Sequence, residues 1–147
     1  MEIISASLEH LEEAATLFDQ YRVFYEQPSD LAAARQFLRA RFEAEDSAIF
    51  LAREATDSVG FAQLYPGFSS VSMRRIWILN DLFVRRSHRK QGIAKLLMSA
   101  AKNHARETGA VRIGLSTQTT NAPAQSLYES LGYRREQSFY HYTLPLV

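Results

Sequence analysis

The sequence predicts a mixed α/β fold in one domain, residues 1–147, and three observations carry the prediction. Apolar residues switch along the chain between a spacing of three or four and an alternation of two, so helices and strands interleave. The 147 residues amount to one core's worth of chain, with no linker, repeat or low-complexity tract. Hydrophobic residues make up 46% and charged residues 22%, enough to fill a core and too apolar for disorder.

Residues 2–6 (EIISA) predict a first strand, and Ser7 is placed to cap a helix beginning at Leu8. Leu11, Ala14, Ala15, Phe18, Tyr21 and Tyr25 give 8–25 the one-sided spacing of a helix, which Pro28 interrupts. Ser29 is expected to cap a second helix burying Leu31, Ala34, Phe37, Leu38, Arg41 and Phe42. Segments 48–53 and 59–65, parted by the turn ATDS, read as a hairpin closed by Pro66-Gly67. Residues 73–84 (MRRIWILNDLFV) form a long strand rich in β-branched and aromatic side chains.

Gly92 opens a third helix with Ile93, Leu96, Leu97, Ala100, Ala101 and His104 on one face, and Gly109 ends it. Strand 111–116, a short helix from 121 to 131 and final strands at 133–135 and 138–144 complete the order β-α-α-β-β-β-α-β-α-β-β.

Composition narrows the chemistry. Without cysteine there is no disulfide framework, no thiolate metal site and no cysteine-bound intermediate. His10, His88, His104 and His141 lack metal-ligand spacing, so no metal is expected. No apolar run suits a membrane span, the first residues do not resemble a secretory signal, and a cytoplasmic location is expected. The net charge of +1 is too balanced to announce a nucleic-acid partner. The charge is clustered, however: Arg85, Arg86, His88, Arg89 and Lys90 fall together just before Gly92.

A helix opened by glycine exposes unpaired backbone N–H groups at the positive end of its dipole. Such a site binds phosphate, and the preceding cations strengthen it. The spacing is neither G-x-x-x-x-G-K-[ST] nor G-x-G-x-x-G but Arg89-x-x-Gly92-x-Ala94. That resembles the R/Q-x-x-G-x-G/A signature of the GCN5-related N-acetyltransferases. Asn121-x-x-Ala124-x-x-Leu127-Tyr128-x-x-x-Gly132-Tyr133 is similar to that family's second coenzyme segment, and the length and element order also match.

The resemblance implies an acetyl-CoA-dependent enzyme in which the strands at 76–84 and 111–116 are parallel but splay apart to admit the pantetheine arm. Backbone of Leu82, Phe83 and Val84 would hold that arm. Arg89, Lys90, Gln91, Gly92, Ile93, Ala94 and Lys95 would surround the pyrophosphate, and Asn121 would bond the arm. Tyr128 would lie near the thioester sulfur, where a phenol suits protonation of the departing thiolate. The family also implies a homodimer, with Phe139, Tyr140 and Tyr142 at an interface.

The acceptor is read from a narrower likeness. Leu79-Asn80-Asp81-Leu82-Phe83-Val84 and Phe61-Ala62-Gln63-Leu64-Tyr65 resemble strands of diamine and polyamine (spermidine/spermine-type) N-acetyltransferases. Tyr25-Glu26 falls where those enzymes place a Tyr-Glu pair against the substrate. Asn80 stands where they hold an acid, while Asp81 matches. Alternation sets Asn80 and Asp81 on opposite faces unless a bulge intervenes. An alkyl amine with pKa ~10 must shed a proton before it attacks, so Asp81, Glu26 or a water chain is required as base.

The expected reaction is acetyl transfer to a small-molecule amine: a diamine, a polyamine or an amino-acid-like amine. A protein lysine as acceptor, or an acyl-CoA-binding module without turnover, stays open. Nucleic-acid binding through residues 85–90 lacks interleaved exposed aromatics.

Overall fold

The computed structural model describes residues 1–147, which fall into two compact units, Met1–Leu115 and Ser116–Val147. The first holds strand β1 (Glu2–Ser5), a 3-10 turn (Leu8–His10), α1 (Leu11–Phe24) and α2 (Leu31–Ala44). Next come β2 (Ala48–Glu54), β3 (Asp57–Ser69), β4 (Arg74–Val84), a 3-10 turn (Arg86–His88), α3 (Ile93–Glu107) and β5 (Ile113–Gly114). The five strands lie in sequence order; every pair is antiparallel except β4–β5, which is parallel. The second unit holds α4 (Ala122–Ser130). The mixed α/β class is as expected.

Directly paired strand residues share a face, so the register sorts the core. Ile49, Leu51, Phe61 and Phe83 face α1 and α2, where they pack with Leu11, Ala14, Ala15, Leu17 and Leu38. Trp77 and Leu79 lie on the opposite face, where the Trp77 ring stands 4.8 Å from that of His104 in α3. Gly60 is where β3, β4 and α3 crowd. A Cβ there would stand 2.9 Å from the Phe83 carbonyl oxygen and 3.4 Å from Leu97 Cδ1.

The α1–α2 turn differs from expectation. Helix α1 stops at Phe24, ahead of Pro28, and Asp30 rather than Ser29 caps α2, its Oδ1 accepting from Ala33 N at 3.1 Å. Ser29 is committed elsewhere: its hydroxyl donates to Asp19 Oδ2 at 2.7 Å, and Asp30 N donates to Asp19 Oδ1 at 2.8 Å. Asp19, buried on α1, thus clamps the turn that carries Tyr25 and Glu26. Only Ala34 and Leu38 of α2 are fully buried; Leu31 and Phe37 lie largely exposed.

Strand β3 runs through Pro66-Gly67 to Ser69 instead of closing there. Its pairing with β2 ends at Leu64, so the missing Pro66 N–H costs no ladder bond on that side. Strand β5 keeps only two of the six residues expected at 111–116. The strands expected at 133–135 and 138–144 do not form; both segments are irregular. A strand needs a neighbour for its backbone groups, and no ladder involves these residues.

Gly60 and His104 make this packing testable. Gly60→Ala pushes a methyl against a backbone oxygen that cannot swing away, and the expected cost is about 1–3 kcal/mol, read as a lower denaturation midpoint. Burial holds the His104 imidazole below its ordinary pKa, an effect Glu107 opposes and Arg75 supports. The unfolded chain therefore binds the extra proton first, and stability is fully present above about pH 6.5 and declines as pH falls below it. Urea titrations from pH 7.5 to 5 are expected to show that decline in the native chain and a shallower one in His104→Gln.

Candidate active site

The site is built on a one-residue irregularity in β4. Gln63 pairs with Asp81 and Leu64 with Leu79, leaving Asn80 as an extra residue, a β-bulge. Up to Leu79 the buried side chains of β4 face α3. After the bulge, Asp81 and Phe83 face α1 and α2 while Leu82 and Val84 take the α3 side. Asn80 and Asp81 are therefore not separated as simple alternation would have it: Asn80 Nδ2 donates to Asp81 Oδ1 at 3.2 Å.

Asp81 is 6% exposed, a carboxylate inside an apolar sheet, and such a group needs donors. Fully buried Gln63 supplies one, its Nε2 donating at 2.9 Å to Asp81 Oδ2 and at 2.8 Å to the Tyr65 hydroxyl oxygen. Gln63 Oε1 is buried without a partner. The Tyr65 phenol is pushed up to about 12, by burial first and then by the charge on Asp81, with Arg41 pulling the other way. It stays protonated across the neutral range and keeps an O–H to donate. The one signal of Gln63 in the sequence is an amide within the apolar run Val59–Tyr65, legible there only as part of a resemblance.

Beyond the bulge β4 has an open edge. Its parallel ladder with β5 consists of Trp77–Ile113 and Ile78–Gly114 and then stops, so Leu82, Phe83 and Val84 pair with β3 alone. The two parallel strands part as expected, leaving backbone donors and acceptors of β4 along the gap.

The basic loop comes directly after this edge. Arg85 donates to both Asp57 carboxylate oxygens at 3.1 and 2.9 Å and to Gln20 Oε1 at 3.2 Å. His88 Nε2 lies 2.7 Å from Glu54 Oε2. These contacts anchor the loop to the β2–β3 hairpin. Arg89 donates from Nε to Val84 O at 3.0 Å, and its guanidinium lies over the rings of Phe24 (4.9 Å) and Phe83 (5.8 Å). Arg86, Lys90 and Lys95 make no ion pair. Gln20, Val23, Phe24, Phe83, Arg85, Arg86 and Arg89 line a cleft of about 490 Å³.

Gly92 caps α3 at φ +80°, with Lys90 also left-handed at +62° and exposed Gln91 between them. No side chain caps the helix, and the space around a Cβ at Gly92 is open. Ile93 is buried in the core while Ala94 and Lys95 continue the first turn. Unpartnered N–H groups, left-handed turns and loose cations together form an anion-binding nest.

Tyr25 closes α1, its ring 5.1 Å from Tyr21, which meets Phe61 and Phe83 at 5.5 and 6.0 Å. An aromatic ladder therefore links Tyr25 to the strand bearing Asp81, whereas Glu26, at φ +65°, is exposed on the turn. In the second unit Asn121 caps α4, accepting from Ala124 N at 3.2 Å. That bond uses its Oδ1 and leaves the amide N–H₂ for another partner. Tyr128 is half-buried on α4 with its ring 6.1 Å from Tyr133. No group of three or more His, Asp or Glu side chains that could hold a metal is present, and no helix is long and apolar enough to cross a membrane.

A nest of uncapped N–H groups beside a parting pair of strands marks an α/β domain with an anion-binding turn next to an open strand edge. The comparisons are specific. The model of the acetyltransferase (GNAT) family matches residues 8–133, and the chain belongs to that family. It is 52% identical over 130 residues to the uncharacterized N-acetyltransferase YhfO of Bacillus subtilis, covering 88% of this chain and 87% of that protein. It is similar to a crystal structure of a probable acetyltransferase, with TM-score 0.95 and 46% identity over 100% of this chain and 99% of the other. A more distant relative is the thialysine N-epsilon-acetyltransferase of Caenorhabditis elegans, 23% identical over 137 residues, or 90% of this chain and 82% of that one. The protein is an acetyl-CoA-dependent acyltransferase.

Gly92→Glu tests the nest. The substitution meets no neighbour, so the chain is expected to fold, with a left-handed strain of about 1–2 kcal/mol. If the nest takes the coenzyme's diphosphate, the added carboxylate repels it and calorimetric titration with coenzyme A is expected to lose its heat; normal affinity would remove the loop as the diphosphate site.

Proposed function

We propose that residues 1–147 act as one N-acetyltransferase domain that moves an acetyl group from acetyl-CoA to the primary amine of a small diamine, polyamine or amino-acid-like molecule. The observation that carries the acceptor class is Asp81: a buried carboxylate with amide donors, set on the bulge beside the open edge of β4. A carboxylate so placed attracts an ammonium and can take its proton. The thialysine-acetylating relative acts, by its name, on an amino acid with a side-chain amine, which agrees with this acceptor class.

The residues fit acetyl-CoA. Backbone of Lys90, Gln91, Gly92, Ile93, Ala94 and Lys95 would receive the diphosphate, with Arg89 holding the loop to Val84 and the aromatic rings. The edge of Leu82, Phe83 and Val84 would align the arm, and an amide N–H near Val84 would stabilise the oxyanion of the thioester carbonyl. Asn121 would donate to the arm. Asp81 accepts the proton of the substrate ammonium, directly or through water. The amine nitrogen then bonds to the acetyl carbon, the carbon–sulfur bond breaks as Tyr128 protonates the departing thiolate, and the nitrogen's remaining extra proton passes through water to restore the Tyr128 phenol. Tyr25, Glu26 and Asn80 would contact the acceptor, Glu26 pairing with a second cation where there is one. Expected surroundings are the cytoplasm, with no metal, no nucleic acid and a second copy of the chain as partner.

The experiment is thiol release across a panel of diamines, polyamines, amino acids and aminoglycosides. Release with a soluble amine supports the proposal. Release only with lysine peptides would move the acceptor to protein, and coenzyme binding with no release on any amine would leave a binding module. Tyr128→Phe is expected to lower kcat about 10²-fold while leaving the coenzyme titration unchanged. Unaltered turnover would remove Tyr128 as the acid.

A further inference from the structure

The proposed reaction uses Asp81 and leaves its neighbour Tyr65 without a task. Gln63 ties the two together. Its side chain is 0% exposed, and its amide nitrogen spends both hydrogens, one on Asp81 Oδ2 at 2.9 Å and one on the Tyr65 hydroxyl oxygen at 2.8 Å. The two N–H bonds of an amide diverge by about 120°, so Gln63 holds those oxygens about 5 Å apart. Phe61, Gln63 and Tyr65 alternate onto the side of β3 that meets α1 and α2. On that side Phe83 is 8% exposed, whereas Ile78, paired directly with Tyr65, is 42% exposed. The helices thus cover the strand beyond Asp81 and leave half-buried Tyr65 open to an approaching molecule. The phenol has one hydrogen to offer: its oxygen accepts from Gln63, and its O–H is donated to no residue of the first unit. Burial and the charge on Asp81 push its pKa up to about 12, so that hydrogen stays in place.

We propose that Tyr65 is a specificity-determining residue: with the reacting amine on Asp81, its O–H donates to an oxygen on the acceptor carbon next to the one that bears the nitrogen. An amine and an oxygen on adjacent carbons lie about 3–4 Å apart, which lets both reach partners about 5 Å apart at ordinary hydrogen-bond lengths. Alkyl diamines and polyamines carry no such oxygen. An amino alcohol and an α-amino acid both do, so the pair selects amines of that chemistry. Gln63, being fully buried, meets no acceptor itself and is a positioning residue that sets the spacing. Tyr65 acts so only where Asp81 receives the reacting amine, which rests on the proposed function.

The probes are ethanolamine, glycine and propylamine, each titrated by NMR into the full chain in the presence of excess coenzyme A. The native chain is expected to bind ethanolamine or glycine more tightly than propylamine, and Tyr65→Phe to cut that ratio about 5–10-fold. Comparing the ratio between the two chains cancels the amines' differing basicity, which the substitution does not touch. Whichever oxygenated amine binds tighter identifies a hydroxyl or a carboxylate as the source of the oxygen. A second comparison needs no variant: aminopentanol, with its hydroxyl at the far end, is expected to bind no better than hexylamine. A ratio that Tyr65→Phe leaves as it was, or an equal gain from the distant hydroxyl, would overturn the role of Tyr65. Thiol release from acetyl-CoA is read on the same amines. Release with a preference indifferent to Tyr65 sinks this role alone, and a Tyr65-dependent preference in binding without release sinks acetyl transfer alone. Binding of no amine sinks both.

Discussion

The site depends on β4 serving two layers of the molecule in turn. A regular strand would carry Trp77, Leu79, Asp81 and Phe83 on one face, and all four are buried. The extra residue at Asn80 changes that. It hands Trp77 and Leu79 to α3, and Asp81 and Phe83 to α1 and α2. The bulge thus lets one apolar stripe feed two cores, and it delivers a carboxylate to the α1–α2 side at the level where β5 has parted from the strand. The position of Asp81, the donors it needs from Gln63 and the open edge at Leu82–Val84 all follow from that single insertion.

Electrostatics in the basic loop divide by task. Arg85 and His88 are held by Asp57 and Glu54, carboxylates of the adjoining hairpin, and Arg89 by the Val84 carbonyl and two rings. These cations set the loop's path. The groups left without an opposing carboxylate are Arg86, Lys90, Lys95 and the uncapped first turn of α3. A loop whose every cation was loose would repel itself and move; one whose every cation was paired would offer a ligand little field. Fixing some and freeing others gives a rigid nest with positive potential left over.

Much of this was legible in the residues. Helices declared themselves by one-sided spacing, and the Gly92 opening was visible because few residues other than glycine take a left-handed cap. What escaped was set by partners distant in sequence. Asp19 clamps Ser29 and Asp30 across a turn, so the local capping rule chose Ser29 where the fold uses Asp30. Phe24 reads as one more apolar residue on α1, yet it underlies the Arg89 guanidinium. Gln63 entered only as part of a resemblance, and its contact with Asp81 exists because the bulge brings that carboxylate opposite. The expected strands at 133–135 and 138–144 show the reverse failure: pattern records what a segment favours, while a ladder also requires a neighbour.

The exchange of an acid for Asn80 sharpens the chemistry of the bulge. Two carboxylates about 4 Å apart repel by about 4 kcal/mol at an effective dielectric of 20, enough to hold one of them protonated near neutral pH. With an amide at position 80, Asp81 has no such rival and gains a donor instead. Its two oxygens accept from Gln63 and Asn80, and it lies beside a phenol that burial and its own field push up. A single carboxylate there would, on the proposed function, select for one ammonium at the reacting end, and Glu26, exposed on the clamped turn, would add preference for a second cation only through solvent-screened attraction. On the proposed function, the acceptor is therefore chosen first by the amine that reacts and only weakly by the charge at its far end.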